Sequence, residues 1–254
     1  MIVDAFTFYN ELETLDIRLN HLDPVVDRFV LVEATKTHSG VDKPLFFKEN
    51  MPRYQAFLKK ITHVVVDTMP VVKEHERWPA ENYQRNCIRL GFDHLNLNDD
   101  DYILVSDVDE IPRAELVGRR FQGVYDQRAF MYYLNVLITE HWNGTMGMNY
   151  GRFKNEFHYS SQEVRNKRDT SEPIRNGGWH FAWLGPSDRI INKLHSFAHS
   201  ELDTPEIGEK VLDRINKLNP IWDANCTMVP IPIDDTFPEY IREHQKELGL
   251  FIHG

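Results

Sequence analysis

Over the first 105 residues, short apolar runs alternate with stretches of helical periodicity, and this alternation limits the possible folds more than any other feature. Residues 2–8 read as a strand. In residues 11–22, Leu12, Leu15, Leu19 and Leu22 recur at helical spacing, which predicts an amphipathic helix. Phe29-Val30-Leu31-Val32, Val64-Val65-Val66 and Tyr102-Ile103-Leu104-Val105 are continuous apolar runs, as in strands buried on both faces. Helices are predicted between them over 52–60 and 79–95, the second with Pro79 in its first turn. Strands alternating with helices predict an α/β fold around a mostly parallel sheet flanked by helices.

The second half is less regular. Residues 129–138 read as one long strand rich in aromatic and β-branched side chains, and 179–184 as another. The polar stretch 140–178 reads as loops, with room for a hairpin. Helices are predicted over 189–199, 205–218 and 238–248. The composition shifts near Pro112, so residues 1–254 read as one domain with two halves, 1–112 and 113–254.

Composition narrows the function. The 254 residues are 41% hydrophobic, enough for one sizeable core. Aromatics make up 12%, which serves core packing and also suits a sugar-binding cleft. The net charge of -10 and the lack of a basic face exclude a nucleic-acid partner. The densest basic patch, Arg165 to Arg168, reads as solvated. An acidic chain that binds a diphosphate needs a countercharge, and a divalent cation provides one. Cys87 and Cys226 form no zinc or redox motif and read as reduced thiols. Met1-Ile2-Val3-Asp4-Ala5-Phe6 leads directly into a strand, and no run of 18 apolar residues occurs. The expectation is therefore no signal peptide, no integral membrane segment and a cytoplasmic location. The sequons at Asn143 and Asn225 then read as coincidences.

In open α/β sheets, ligands bind beyond the carboxyl ends of the strands. There the sequence offers Tyr9, Asn10 and Glu11, then Glu33 to His38, then Asp67 and Thr68, then Ser106 to Glu110. No glycine-rich phosphate loop follows any strand, which excludes the dinucleotide and P-loop fingerprints. Asp107 and Asp109, two residues apart on an extended segment, point the same way and can approach one hard cation, Mg2+ or Mn2+. Such a cation stabilises a departing diphosphate, which suits a nucleotide-sugar. Asp99 and Asp101 have the same spacing but read as a solvated turn. A buried strand feeding directly into the turn, with Ile111-Pro112 after it, distinguishes Asp107 and Asp109. A glycosidase would need its carboxyls on either side of the bond, roughly 5–10 Å apart. A non-catalytic sugar-binding module leaves the acidic turn unexplained.

Several motifs in order resemble glycosyltransferase family 17. They are Phe8-Tyr9-Asn10-Glu11 with Leu15-Asp16-Ile17-Arg18, the run Val25 to Glu33, Thr37-His38-Ser39-Gly40 with Lys43-Pro44-Leu45-Phe46, and Trp78 with Asn82-Tyr83-Gln84-Arg85. Asp107-Val108-Asp109-Glu110-Ile111-Pro112 and Gly178-Trp179-His180 complete the set, which covers about residues 1–200. The resemblance implies a GT-A type fold, a UDP-sugar donor (UDP-GlcNAc in the animal member), a glycan acceptor and inversion at the anomeric carbon. The animal member carries a membrane anchor and stem, whereas this chain begins at the catalytic domain. That difference points to a surface polysaccharide, or its lipid-linked precursor at a membrane, as acceptor.

The site residues expected on this basis are as follows. Asp109 is the metal ligand, and Asp107 meets the metal through water or the donor ribose. His180 completes the metal shell or bonds a phosphate. Glu33 accepts the uracil N3–H or makes a strand-end salt bridge. Asn10 and Glu11 line the base or ribose pocket, with Glu11 also suited to a helix first turn. Lys36 reaches a phosphate or stays on the surface. Arg85 clamps the diphosphate, holds an acidic side chain of the site, or pairs with Glu81 one turn away. Trp179 stacks on a sugar or packs. His195 and His199 have zinc-capable spacing but no H-E-x-x-H context, and read as structural. The base that takes the acceptor proton is Glu110, beside the metal turn, with Glu140, Glu156 and Glu172 as alternatives.

Overall fold

The computed structural model describes residues 1–72, 76–223 and 227–254, so Cys226 and the sequon at Asn225 lie outside the described residues. One sheet runs through the molecule. Its strands are β1 (Ile2–Phe8), β2 (Arg28–Ala34), β3 (Ile61–Val66), β4 (Tyr102–Asp107), β5 (Glu110–Pro112), β6 (Gly123–Met131), β7 (Val136–Asn149), β8 (Pro173–Ala182) and β9 (Val229–Pro230). The order is β3-β2-β1-β4-β7-β6-β8-β5, with β9 pairing with part of β7. Helices are α1 (Leu12–Leu22), α2 (Phe46–Glu49), α3 (Trp78–Asn86), α4 (Ile88–Asp93), α5 (Ala114–Val117), α6 (Tyr150–Asn155), α7 (Ser161–Asn166), α8 (Ser187–Ser196), α9 (Pro205–Asn216) and α10 (Glu239–Glu243).

The α/β expectation holds, and β1 to β4 are mutually parallel where they pair. The second half corrects the parallel reading. There β7 runs antiparallel to both β4 and β6, and β5 antiparallel to β8, while β6 and β8 are parallel. Alternation along the strands builds two cores. Val3 and Ala5 of β1 join Val30, Val32, Ile103 and Val105 on the face covered by α4. Ile2, Phe6 and Phe8 join Phe29, Leu31 and Leu104 on the face covered by Leu15, Leu19 and Leu22 of α1. That is the period-two pattern of a strand meeting the helical stripe predicted for residues 11–22. Further cores place Trp179 and Phe181 of β8 against Phe237, Ile241 and Phe251, and Trp183 against Ile190 and Leu194 of α8.

Three local expectations are corrected. Residues 79–95 form two helices, α3 and α4, broken at Cys87. The break lets α3 face the strand ends while α4 lies against the sheet. Gly91 is needed for this approach, since a Cβ there would sit 2.2 Å from Val30 Cγ1. Residues 129–138 contain the reversal between β6 and β7 rather than one strand. Tyr132 turns it at φ 65°, and the Leu134 N–H donates to the Phe251 carbonyl at 2.7 Å. Tyr132 and Leu134 are fully buried, so this turn carries the apolar residues of a strand. Residues 52–60 form only a 3-10 turn, Met51–Tyr54, followed by turns.

His21, in the last turn of α1, links this helix to the second half. Its Nε2 accepts the Ala114 N–H at 3.1 Å, and its ring meets Trp179 edge-on at 5.2 Å. Burial, opposed by Glu115 and reinforced by Arg113, lowers its pKa to about 4. The folded chain therefore keeps His21 neutral while the unfolded chain, at about 6.5, takes up a proton. Stability is expected to fall as pH drops from about 6.5 to about 4, by on the order of 3 kcal/mol from this residue, and to level off below. Urea unfolding at pH 7.5 and 4.5 checks this, and His21→Gln, which keeps an acceptor but does not titrate, is expected to show a smaller loss.

Candidate active site

The site lies at the carboxyl ends of β1 and β4, where register sets Thr7 beside Asp107. Arg18 of α1 fixes the turn that follows. Its side chain is fully buried and pairs with the equally buried Asp4 of β1, at 2.7 Å from Nε and 2.5 Å from Nη2. Nη1 then donates to the carbonyls of Asp107 (3.0 Å), Val108 (3.2 Å) and Glu110 (2.8 Å), and Nη2 donates to Ser106 Oγ at 2.6 Å. The planar fork of arginine allows one side chain to serve the whole turn.

The two acidic residues of the turn have different surroundings. Asp107 Oδ1 accepts from Thr7 Oγ1 at 3.0 Å and Arg85 at 3.2 Å, and Oδ2 accepts from Arg165 of α7 at 2.6 Å. Burial raises its pKa, but Arg165, Arg85 and Arg168 outweigh that and hold it well below the usual range. Asp109 has looser partners. His180 Nε2 is 3.7 Å from Oδ1 and Lys193 Nζ is 3.7 Å from Oδ2. Burial again opposes ionisation, and His180 and Lys193 override it. Lys193 of α8 also pairs with Glu11 at 3.4 Å; burial works against its charge, and these two carboxylates raise its pKa despite that.

For a divalent cation, the turn offers Asp109 and, across from it, His180 Nε2. Among the described residues no group of three or more His, Cys, Asp or Glu side chains is placed to hold a metal. Two protein donors suit a cation that fills its other positions with substrate phosphates and water, as Mg2+ commonly does. His180 stacks on Trp142, with centroids 4.4 Å apart, and this sets the ring's orientation, since its buried Nδ1 finds no partner among the described residues. Asp107, expected to meet the metal through water or to contact the donor ribose, has both its oxygens engaged by cationic or hydroxyl donors.

A cleft of about 230 Å³ opens over this turn. Lys36, Lys43, Arg85, Arg165 and Lys193 line it, against the carboxylates Glu11, Glu81, Asp107 and Asp109. With five cations among its lining the cleft concentrates positive charge in an acidic chain, and these groups can meet a polyanion such as a diphosphate.

The cleft brings together Glu11, Lys36, Arg85, Asp107, Asp109 and His180 of the expected residues. Glu11 Oε2 accepts the N–H groups of Tyr9 and Asn10, so it also shapes the strand end. Lys36 pairs with Asp42. Arg85 both pairs with Glu81 and holds Asp107, which unites two of the readings of it. Asn10 lies in a smaller adjoining hollow, its carbonyl bonded to Arg189. Glu33 is fully buried behind the strand ends, accepting the Phe47 N–H at 3.0 Å and lying 3.0 Å from His63 Nε2, so it does not reach the cleft.

Trp179 and His180 show why strand parity decides. Gly178, at φ +145°, presses β8 against β5, where a Cβ would lie 2.1 Å from the Ile111 carbonyl oxygen. Trp179 then points into the core, 1% exposed, and His180 into the cleft. Glu110 is 1% exposed and outside the cleft lining. Its Oε1 accepts from Trp142 at 3.1 Å and Arg168 at 2.5 Å, and its Oε2 accepts the Asp107 N–H at 3.1 Å. A carboxylate so engaged braces the turn and does not meet an acceptor hydroxyl. His195 and His199 pair separately with Asp203 and Glu201.

The model of glycosyltransferase family 17 matches residues 1–218. The chain belongs to glycosyltransferase family 17. Proteins named β-1,4-mannosyl-glycoprotein 4-β-N-acetylglucosaminyltransferase, from rat and human, are each 26% identical over 242 residues, 82% of this chain. The chain spans less than half the length of these relatives, 44% and 45%. Among solved structures, the apo glycosyltransferase GlyE of Streptococcus pneumoniae TIGR4 is 11% identical with a TM-score of 0.36, covering 69% of this chain and 44% of its own. An active-site mutant of LgtC is 15% identical with a TM-score of 0.33, covering 95% of this chain and 98% of its own.

Within this family 17 chain, sequence reasoning missed Lys193, Trp142, the place of Glu81 in the cleft and the roles of Arg18, Arg165 and Arg168. Arg165 and Arg168, read as a solvated patch, instead neutralise Asp107 and Glu110. Nothing local to residues 165–168 signals this, because their partners lie 58 positions away. Replacing Arg18 by Met is expected to cost about 3–5 kcal/mol by leaving Asp4 buried and unpaired. Urea denaturation measures it, and Arg18→Lys is expected to recover only part.

Proposed function

We propose that this chain is the catalytic domain of a GT-A type glycosyltransferase that moves a sugar from a UDP-sugar to a glycan hydroxyl, with inversion and with Mn2+ or Mg2+ bound. One observation carries this reading. Of the two aspartates on the acidic turn, Asp107 is fully engaged, whereas Asp109 faces a cleft lined by cations and has only loose partners among the described residues. That arrangement suits a cation–diphosphate pair better than a bare sugar. GlcNAc as the transferred sugar and a mannose-containing acceptor follow the names of the relatives. A surface polysaccharide or its lipid-linked precursor is the corresponding acceptor class.

On this reading residues 1–112 supply most of the nucleotide end, and 113–254 the acceptor end. Asp109 and His180 would hold the cation, which when bound supplies positive charge against the departing diphosphate. Lys193 and Arg165 add fixed positive charge on the same side. Such preorganised charge stabilises the leaving group with little reorganisation during the reaction.

UDP with Mn2+ is expected to raise the melting temperature, with about 2.7 kcal/mol of stabilisation at a hundredfold excess over Kd. Asp109→Asn is expected to remove the metal-dependent part of that shift, read against the variant's own unliganded melting temperature, which falls somewhat because His180 and Lys193 lose an ionised partner. A thermal scan with UDP, GDP and CDP, with and without Mn2+, measures both. Indifference to every nucleoside diphosphate would overturn the reading.

A further inference from the structure

An inverting transfer needs a carboxylate that reaches the acceptor hydroxyl, and Glu110 is outside the cleft. Four carboxylates line it. Asp107 has both oxygens engaged, and Asp109 is the carboxylate suited to the cation. Glu11 gives one oxygen to two backbone N–H groups and the other to Lys193. Glu81 differs. Its Oε1 accepts from Arg85 at 2.5 Å, but among the described residues its Oε2 has only His38 Nδ1 at 3.9 Å, beyond hydrogen-bond distance. The Arg85 guanidinium also bonds Asp107 at 3.2 Å, which ties Glu81 to the acidic turn.

Three residues before Glu81, on the same helix face, stands Trp78. It is 41% exposed, and among the described residues it is the only exposed tryptophan, tyrosine or phenylalanine that lines the cleft. Trp142 is covered by His180 and Arg168, and Trp183 is buried. Trp78 meets His199 edge-to-face at 4.5 Å. Arg77 beside it is anchored to the Phe197 carbonyl at 3.2 Å and to Asp203 at 2.6 Å, which fixes the start of the helix. An exposed indole one helical turn from a carboxylate oxygen that has no hydrogen-bond donor among the described residues suits a pyranose, with its C–H face on the ring and a hydroxyl toward the oxygen.

We infer that this edge of α3 is the acceptor subsite, with Trp78 as the platform for a pyranose ring and Glu81 as the base. The inference rests on the proposed transfer reaction. The acceptor hydroxyl oxygen forms a bond to the anomeric carbon of the donor while its proton passes to Glu81 Oε2. The bond from that carbon to the diphosphate oxygen breaks, and its electron pair leaves with UDP.

The test uses the full chain, UDP-GlcNAc as donor and octyl β-D-mannopyranoside as acceptor probe. Glu81→Gln is expected to lower both transfer and donor hydrolysis by about 10²–10⁴-fold, with Glu81→Asp recovering part. UDP affinity, read by calorimetry, is expected to stay within about twofold. Turnover of Glu81→Gln within about tenfold of wild type overturns the base. A parallel loss of UDP affinity overturns it too, since Glu81 would then act only by supporting Arg85. Trp78→Ala is expected to raise the KM of the mannoside about tenfold at unchanged donor KM, with Trp78→Phe restoring most of it. A rise in donor KM instead would assign Trp78 to the nucleobase and overturn the platform. Wild-type protein that binds no nucleoside diphosphate would fail the transfer reaction itself, which the UDP titration reads separately.

Discussion

The buried pair of Arg18 and Asp4 is the contact on which the rest of the site depends. A charge in a sheet core is costly unless it is paired and hydrogen-bonded. Here the guanidinium spends its donors on Asp4, on Ser106 and on three carbonyls of the acidic turn. Helix α1, strand β1 and the end of β4 are thereby held to one another through one side chain. Without it the turn would have carbonyls facing the core unpaired, and the positions of Asp107 and Asp109 would no longer be set by the sheet.

Above that anchor, two neighbouring aspartates take different parts because different cations reach them. Asp107 meets guanidiniums from α3 and α7 and becomes part of the scaffold. Asp109 meets an imidazole and an ammonium at longer range and remains at the cleft surface. Glu110 repeats the scaffold role one residue further on, held by Arg168 and Trp142. Long side chains from α7 and the following turn thus brace the floor of the cleft from beneath a surface formed mostly by the strand ends.

Much of this was legible in the sequence where the signal is local. The runs at β1, β2, β3 and β4 and the stripe of α1 are short-range patterns, and the structure places them as read. Strand ends and motif order point to the acidic turn and His180, and the structure brings Asp107, Asp109 and His180 to one cleft. What was not legible depends on distant partners or on parity. Arg165 and Arg168 look solvated until the chain returns to Asp107 and Glu110. Trp179 and His180 are adjacent in sequence but face opposite sides of β8, and only the pairing with β5 says which side is which. The reversal after β6 was hidden because Tyr132 and Leu134 are wholly buried, so the turn lacks the polar, glycine-rich composition by which turns are recognised.

Charged side chains along one wall of the cleft and behind it run in alternating sign from Glu81 through Arg85, Asp107, Arg165 and Glu110 to Arg168. Such a row shapes how the sequence can drift over evolutionary time. A single replacement inside the row leaves a poorly solvated neighbour with one partner fewer, so a second, compensating change makes the first easier to keep. Across descendants of this chain neighbours in the row should therefore vary as linked pairs, Asp107 with Arg85 of α3 and with Arg165 of α7, although 22 and 58 positions separate them in the chain.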